Sequence, residues 1–272
     1  MSNDILSPNP ETQDLPLVTG RGEQRFRDVQ STASYLLILV ALFCMVGLIS
    51  TSAANMLPGI IPFDDPHGTV VITVSTSFTF LALAIIFERA NGGSLAGTVR
   101  TLAARSRRLL EILGVRRSPR QAVIAILLGL AGGAIAVGFQ KVLILIVTFP
   151  PSTQPDARFA AIANVSPAMG GAFFATYAPF SEETFFRGLL LLAVAAVALR
   201  SSSRRTQVAV MLIMLILTSA WFGYSHLNYS TANAVTAGVE GLIFGTLAVQ
   251  QRSIWPAVIA HSAMNFGVIV FL

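Results

Sequence analysis

Apolar positions in this chain come in long blocks, not in the short alternations of a soluble fold. Seven blocks are long enough to cross a bilayer as helices, given that about 20 residues are needed. They lie near Ala33–Ala54, Thr69–Phe87, Gln121–Phe149, Ala168–Leu199, Gln207–His226, Ala232–Val249 and Ile254–Leu272. The expected architecture is therefore all-α: a polytopic transmembrane helical bundle of about 7 membrane-spanning helices. The third and fourth blocks exceed one crossing, so they tilt, kink or hold a re-entrant piece. Pro179 in the fourth is a natural place for a break. The first thirty residues are polar, with Pro8, Pro10 and mixed charges. Without an apolar core they read as a disordered tail and not a signal peptide. The segment Arg89–Arg120 reads as a basic surface piece, amphipathic around Val99–Leu113.

Composition agrees with this pattern. Hydrophobic residues make up 54% of the chain and charged residues only 11%, where a soluble domain is nearer a quarter charged. The net charge of +5 would point to nucleic acid in a soluble protein. Here the basic residues cluster between apolar spans, so no nucleic-acid partner is expected. With Cys44 the only cysteine, the chain can form no internal disulfide and no cysteine-based metal site.

The arginines set an orientation. Arg21, Arg25 and Arg27 fall in the tail, eight arginines lie from Arg89 to Arg120, and Arg200, Arg204, Arg205 and Arg252 follow on the same side. The opposite loops hold only Arg158, together with Asp64, Asp65 and Asp156. The positive-inside bias then places the N-terminus in the cytoplasm. Lys141 sits near the outer end of span three and snorkels to the interface. Glu88 and Arg89 read as interfacial.

Charges inside the spans are costly and mark function by default. The stretch from Ala178 to Gly188 carries Glu182, Glu183 and Arg187. Glu183 and Arg187 are four apart and can neutralise each other on one helix face. Glu182 lies about 100° round the helix, and no basic residue stands three or four positions from it. One carboxylate is explained as packing, and the other is left over for chemistry. Glu240 in span six is a further candidate. Beside it Ala237, Gly241 and Gly245 repeat at four-residue spacing and form a close-packing face.

Two more sets complete the polar core. Span five ends at Phe222-Gly223-Tyr224-Ser225-His226, and span seven holds His261 and Asn265, four apart on one face. Each set alone could simply join helices by hydrogen bonds. A carboxylate, two imidazoles and a carboxamide are also the parts needed to hydrolyse an amide. A carboxylate and one histidine would hold and deprotonate a water. The second histidine and the asparagine would donate to the oxyanion. Alternatively Glu182, His226 and His261 would bind zinc, although no His-Glu-x-x-His accompanies them.

Glu182-Glu183-x-x-x-Arg187, Phe222-x-x-x-His226 and His261-x-x-x-Asn265 resemble the motifs of the CPBP family, the CAAX prenyl endopeptidase and bacteriocin-processing membrane proteins also called Abi. Ala178-Pro179, Phe186-Arg187-Gly188 and Ser253-Ile254-Trp255-Pro256-Ala257 flank them in the family's manner. The resemblance covers roughly Pro167 to Phe266. It implies an intramembrane endopeptidase cutting near the C-terminus of a membrane-associated or lipidated protein or peptide. Glu182 and His226 would activate water, His261 and Asn265 would stabilise the oxyanion, and Glu183 and Arg187 would support them. The family has been described both as metalloproteases and as metal-independent glutamate proteases, and some relatives have eight spans.

The resulting division is a cytoplasmic tail over 1–32, N-terminal transmembrane helices over 33–166 with the basic loop 89–120 facing anionic lipid, and a CPBP-like catalytic core over 167–272. The expected location is a bacterial inner membrane. Two rivals use the same residues: a non-catalytic scaffold or bacteriocin-immunity protein, and a proton-coupled transporter. Depth presents one conflict. Counted at 1.5 Å per residue, His261 stands about 11 Å from the inner edge and His226 almost a full bilayer from it. The sets meet only if span five is displaced, tilted or broken, or span four is split.

Overall fold

The computed structural model describes residues 31–45, 66–90, 94–115, 117–150, 167–227 and 229–271. Among these residues it contains eight helices and no strand. They are α1 (Ser31–Met45), α2 (Pro66–Arg89), α3 (Leu95–Ile112), α4 (Pro119–Ile146), α5 (Pro167–Arg200), α6 (Arg204–Ser225), α7 (Thr231–Gln251) and α8 (Trp255–Phe271). The expected spans coincide with seven of them, and the basic segment forms α3. Residues 1–30 of the tail and the second half of the first span lie outside the described residues, and Ser31 and Thr32 belong to α1.

By length and composition α4, α6 and α7 can each cross a membrane. Their outer faces are apolar: Leu127, Leu145, Ile146, Ile213 and Ile216 are all more than half exposed. An apolar surface this extensive fits lipid and not water. The chain is a membrane protein.

Serines open the helices where the sequence turns. Ser118 caps α4 in a reciprocal pairing with Gln121, while Ser203 and Ser230 cap α6 and α7 through their side chains. The turn after α3 is tied to the start of α8. Ile254 N–H donates to the Leu113 carbonyl (3.0 Å), Ser253 Oγ to the Gly114 carbonyl (3.1 Å), and Trp255 Nε1 to the Val115 carbonyl (3.3 Å). Gly114 sits at φ +63, where a Cβ would fall 2.3 Å from the Arg252 carbonyl oxygen. Only glycine fits this backbone and this contact.

Small residues set the helix spacing around the polar core. A Cβ on Gly223 would meet the Ala234 carbonyl at 2.6 Å, and one on Gly241 would meet Ser219 Cα at 3.0 Å. The expected close-packing face of α7 is thus turned to α6. Glu88 has partners that its own segment does not announce. It is buried, accepts a hydrogen bond from Ser34 Oγ and pairs with Arg105, so it ties α1, α2 and α3 together.

The break expected at Pro179 does not occur. Helix α5 runs unbroken for 34 residues with Pro179 inside it. Pro179 is fully buried, and protein contacts on all sides hold the helix through the missing hydrogen bond. The depths of Glu183 and His261 agree without splitting any helix. Leu191 shares one apolar cluster with Leu113, Ile254 and Val258, so the α3–α4 turn and the start of α8 lie level with Leu191, not with Arg200. From Leu191 the nine residues to Arg200 carry the α5–α6 hairpin about 14 Å further. Measured from that level, Glu183 and His261 are at about 12 and 10 Å and stand side by side.

Candidate active site

Glu183 and Arg187 are both fully buried on α5. Arg187 Nε lies 2.7 Å from Glu183 Oε2 as an ion-pair contact, and Arg187 Nη2 donates to Glu183 Oε1 at 3.3 Å. The expected intrahelical pair is present. It also reaches further: the His261 Nδ1 on α8 stands 3.0 Å from the same Oε1. Glu183 therefore joins the first motif to the third.

Phe222 on α6 is the hub between the charged groups. Its buried ring lies 5.1 Å beneath the Arg187 guanidinium carbon, a cation–π distance. The rings of His226, Phe186 and His261 surround it, with centroids at 4.7, 5.1 and 5.8 Å. Phe244 of α7 stacks on the far side of His261 at 5.4 Å and 23°.

His226 ends α6. Its Nδ1 is 2.8 Å from the Phe222 carbonyl oxygen and 3.2 Å from Ser225 Oγ. A carbonyl only accepts, so we assign the proton to Nδ1 and the lone pair to Nε2. Such a tautomer equips Nε2 as a base. The Glu182 side chain is half-buried, and its Oε2 is a buried atom with no hydrogen-bond partner. It lies within electrostatic reach of His261, as do Glu183 and Glu240. Asn265 is half-buried one turn beyond His261 on α8.

The structure thus gathers Glu182, Glu183, Arg187 and His261 around one point and links His226 to it through Phe222. Among the described residues, no group of three His, Cys, Asp or Glu side chains is placed to hold a metal ion. Glu182, His226 and His261 are not drawn together as one such group here. What the arrangement offers is a carboxylate at Glu182, an imidazole at His226, and, one turn apart on α8, the imidazole of His261 held by Glu183 and the carboxamide of Asn265.

Sequence reasoning missed one neighbour of the site and left another open. Phe222 appeared only as a motif letter, although its spacing of four from His226 already put the two rings on one helix face. Glu240 was left between packing and function. It is 4% exposed and sits one turn before Phe244, on the face turned to His261.

Residues 164–267 match a family model described as type II CAAX prenyl endopeptidase Rce1-like. No curated protein and no solved structure matches the chain. The matched segment spans α5 to α8 nearly whole and includes every residue gathered above. Residues 164–267 are thus similar to an Rce1-like type II CAAX prenyl endopeptidase domain, consistent with the CPBP resemblance of the three motifs.

Proposed function

We propose that the protein is an intramembrane endopeptidase that hydrolyses a peptide bond near the C-terminus of a membrane-associated or lipidated substrate. The observation that carries this reading is the division of labour between adjacent glutamates. Glu183 is committed to Arg187 and His261, while Glu182 keeps a buried oxygen without a hydrogen-bond partner. Buried polar atoms are normally satisfied, so this one is suited to hold a water.

In the proposed reaction Glu182 Oε2 orients the water and His226 Nε2 takes its proton as the oxygen attacks the carbonyl carbon. His261, as an imidazolium whose Nδ1–H is held by Glu183, donates from Nε2 to the oxyanion that develops, and Asn265 donates beside it. His226 returns the proton to the leaving amine as the C–N bond breaks. Phe222, Phe186 and Phe244 exclude bulk water, which strengthens each electrostatic contact. The setting proposed for this chemistry is the inner membrane of a bacterium, with the N-terminal tail and the Arg200–Arg204 turn on the cytoplasmic side.

The test is proteolysis of a C-terminal peptide library by the purified full chain in detergent, comparing wild type, Glu182→Gln and His261→Ala with and without a chelator. Cleavage by wild type that both variants lose is the expected result. Cleavage retained by folded Glu182→Gln overturns the reading and favours a scaffold. Chelator sensitivity would give the site a metal.

A further inference from the structure

Helix α3 has three distinct faces. One is docked: Thr98 and Leu109 are buried, and Arg105 reaches Glu88. At 100° per residue, Leu95, Val99, Ala103, Ser106 and Leu110 fall together in a second sector about 80° wide. Leu95, Val99 and Leu110 are exposed there, at 58%, 56% and 40%. The third sector holds Arg100, Arg107, Arg108 and Glu111, all exposed. Arg108 is paired with Glu111 at 2.8 Å, so this face keeps a net positive charge of two.

A water-facing helix has no use for the second sector, and a membrane-crossing helix has none for the third. Both are accounted for if the helix lies in the plane of the interface. The apolar sector would then enter the acyl region and the arginines would meet headgroups. The Ser94 side chain accepts from Gly97 N–H, so the helix starts with its own cap. The clamp of Ser34, Glu88 and Arg105 fixes its rotation about its axis. Both features hold the basic face at a constant angle to the bundle.

We propose that α3 is an interfacial helix that binds anionic phospholipid headgroups through Arg100, Arg107 and Arg108, with Leu95, Val99 and Leu110 inserted among the acyl chains. The attraction expected for each basic side chain near an anionic surface corresponds to about a fivefold change in lipid affinity. Removing three should weaken binding by about a hundredfold.

The experiment uses the full chain in nanodiscs of phosphatidylcholine alone or mixed with phosphatidylglycerol. In a Cys44→Ala background, nitroxide labels are placed at Val99→Cys and, on the basic face, at Ala104→Cys. The Val99 label should be accessible to oxygen and shielded from a water-soluble nickel complex, and the Ala104 label should show the reverse. Equal nickel access at both sites overturns the in-plane placement. Phosphatidylglycerol should raise the melting temperature of wild type, and the triple Arg100→Gln, Arg107→Gln, Arg108→Gln variant should lose that rise while melting as wild type does in phosphatidylcholine. A rise that survives in the triple variant, or none in wild type, overturns the headgroup contact. Neither readout depends on peptidase activity.

Discussion

Glu183 Oε1 lies 3.0 Å from His261 Nδ1, although 78 residues separate them in the chain. One carboxylate thereby fixes an arginine on its own helix and an imidazole on another. The adjacent glutamate does neither.

Glutamine at these two positions should give opposite results. Glu183→Gln strips Arg187 of its counter-charge in a fully buried site, where breaking such a pair costs about 3–5 kcal/mol. Its thermal stability and its peptidase activity should fall together. Glu182→Gln should retain stability near wild type and lose at least about a hundredfold in kcat. Melting curves and turnover of the two proteins, measured in one detergent, check this. Equal stability losses would contradict the division of labour.

Phe222→Leu nearly conserves the packed volume, so it should cost less than about 1.5 kcal/mol. It removes the ring against which His226, His261 and Arg187 are placed. Turnover should therefore drop by more than this stability loss accounts for, with KM changed little. Comparison of kcat and KM for Phe222→Leu and Phe222→Trp measures how far ring placement matters.

Two glycines at the α6–α7 contact should respond differently to alanine. A Cβ at Gly223 would meet the Ala234 carbonyl at 2.6 Å, whereas at Gly238 its nearest neighbours are at 3.9 Å. Gly223→Ala should destabilise by about 1–3 kcal/mol. Gly238→Ala should be neutral, or stabilise by up to about 1 kcal/mol from helix propensity. Thermal melts of both variants decide the point.

Glu240 should prove to be a positioning residue. Its carboxylate is bracketed on α7 by Ala237, which packs with Phe222, and by Phe244, which stacks on His261. Glu240→Gln keeps the shape and removes the charge. The expected result is a kcat lower by about tenfold, milder than the ~10²–10³ for losing an oxyanion donor, with KM unchanged and Glu240→Asp partly restoring the rate. Full activity in Glu240→Gln would reduce the residue to packing.

Local pattern made the helices legible. Apolar blocks and the four-residue spacing of Glu183–Arg187 are properties of single segments, and among the described residues the helices and that ion pair are found where they were expected. Relations between segments were not legible. Nothing near Glu183 announces a partner on α8, and the partners of Glu88, Ser34 and Arg105, lie on other helices. Pro179 was read as a break because a lone helix cannot compensate for proline, whereas a surrounded one can. The depth conflict between Glu183 and His261 arose from setting the end of span four level with the start of span seven, whereas Leu191, nine residues before that end, packs with Ile254.

The continuity of α5 through Pro179 bears on how the carboxylates are held. Proline has no N–H to offer the Ala175 carbonyl, so one rung of the helix ladder is missing just ahead of Glu182 and Glu183. Bending about that gap breaks no hydrogen bond, while bending anywhere else in α5 breaks at least one. Beyond it the segment from Glu183 onward is anchored to Arg187 and His261 and behaves as a rigid lever. Elastic compliance is thus concentrated just ahead of Glu182, where a small flexure swings the N-terminal part of α5 and leaves both carboxylates still with the anchored half.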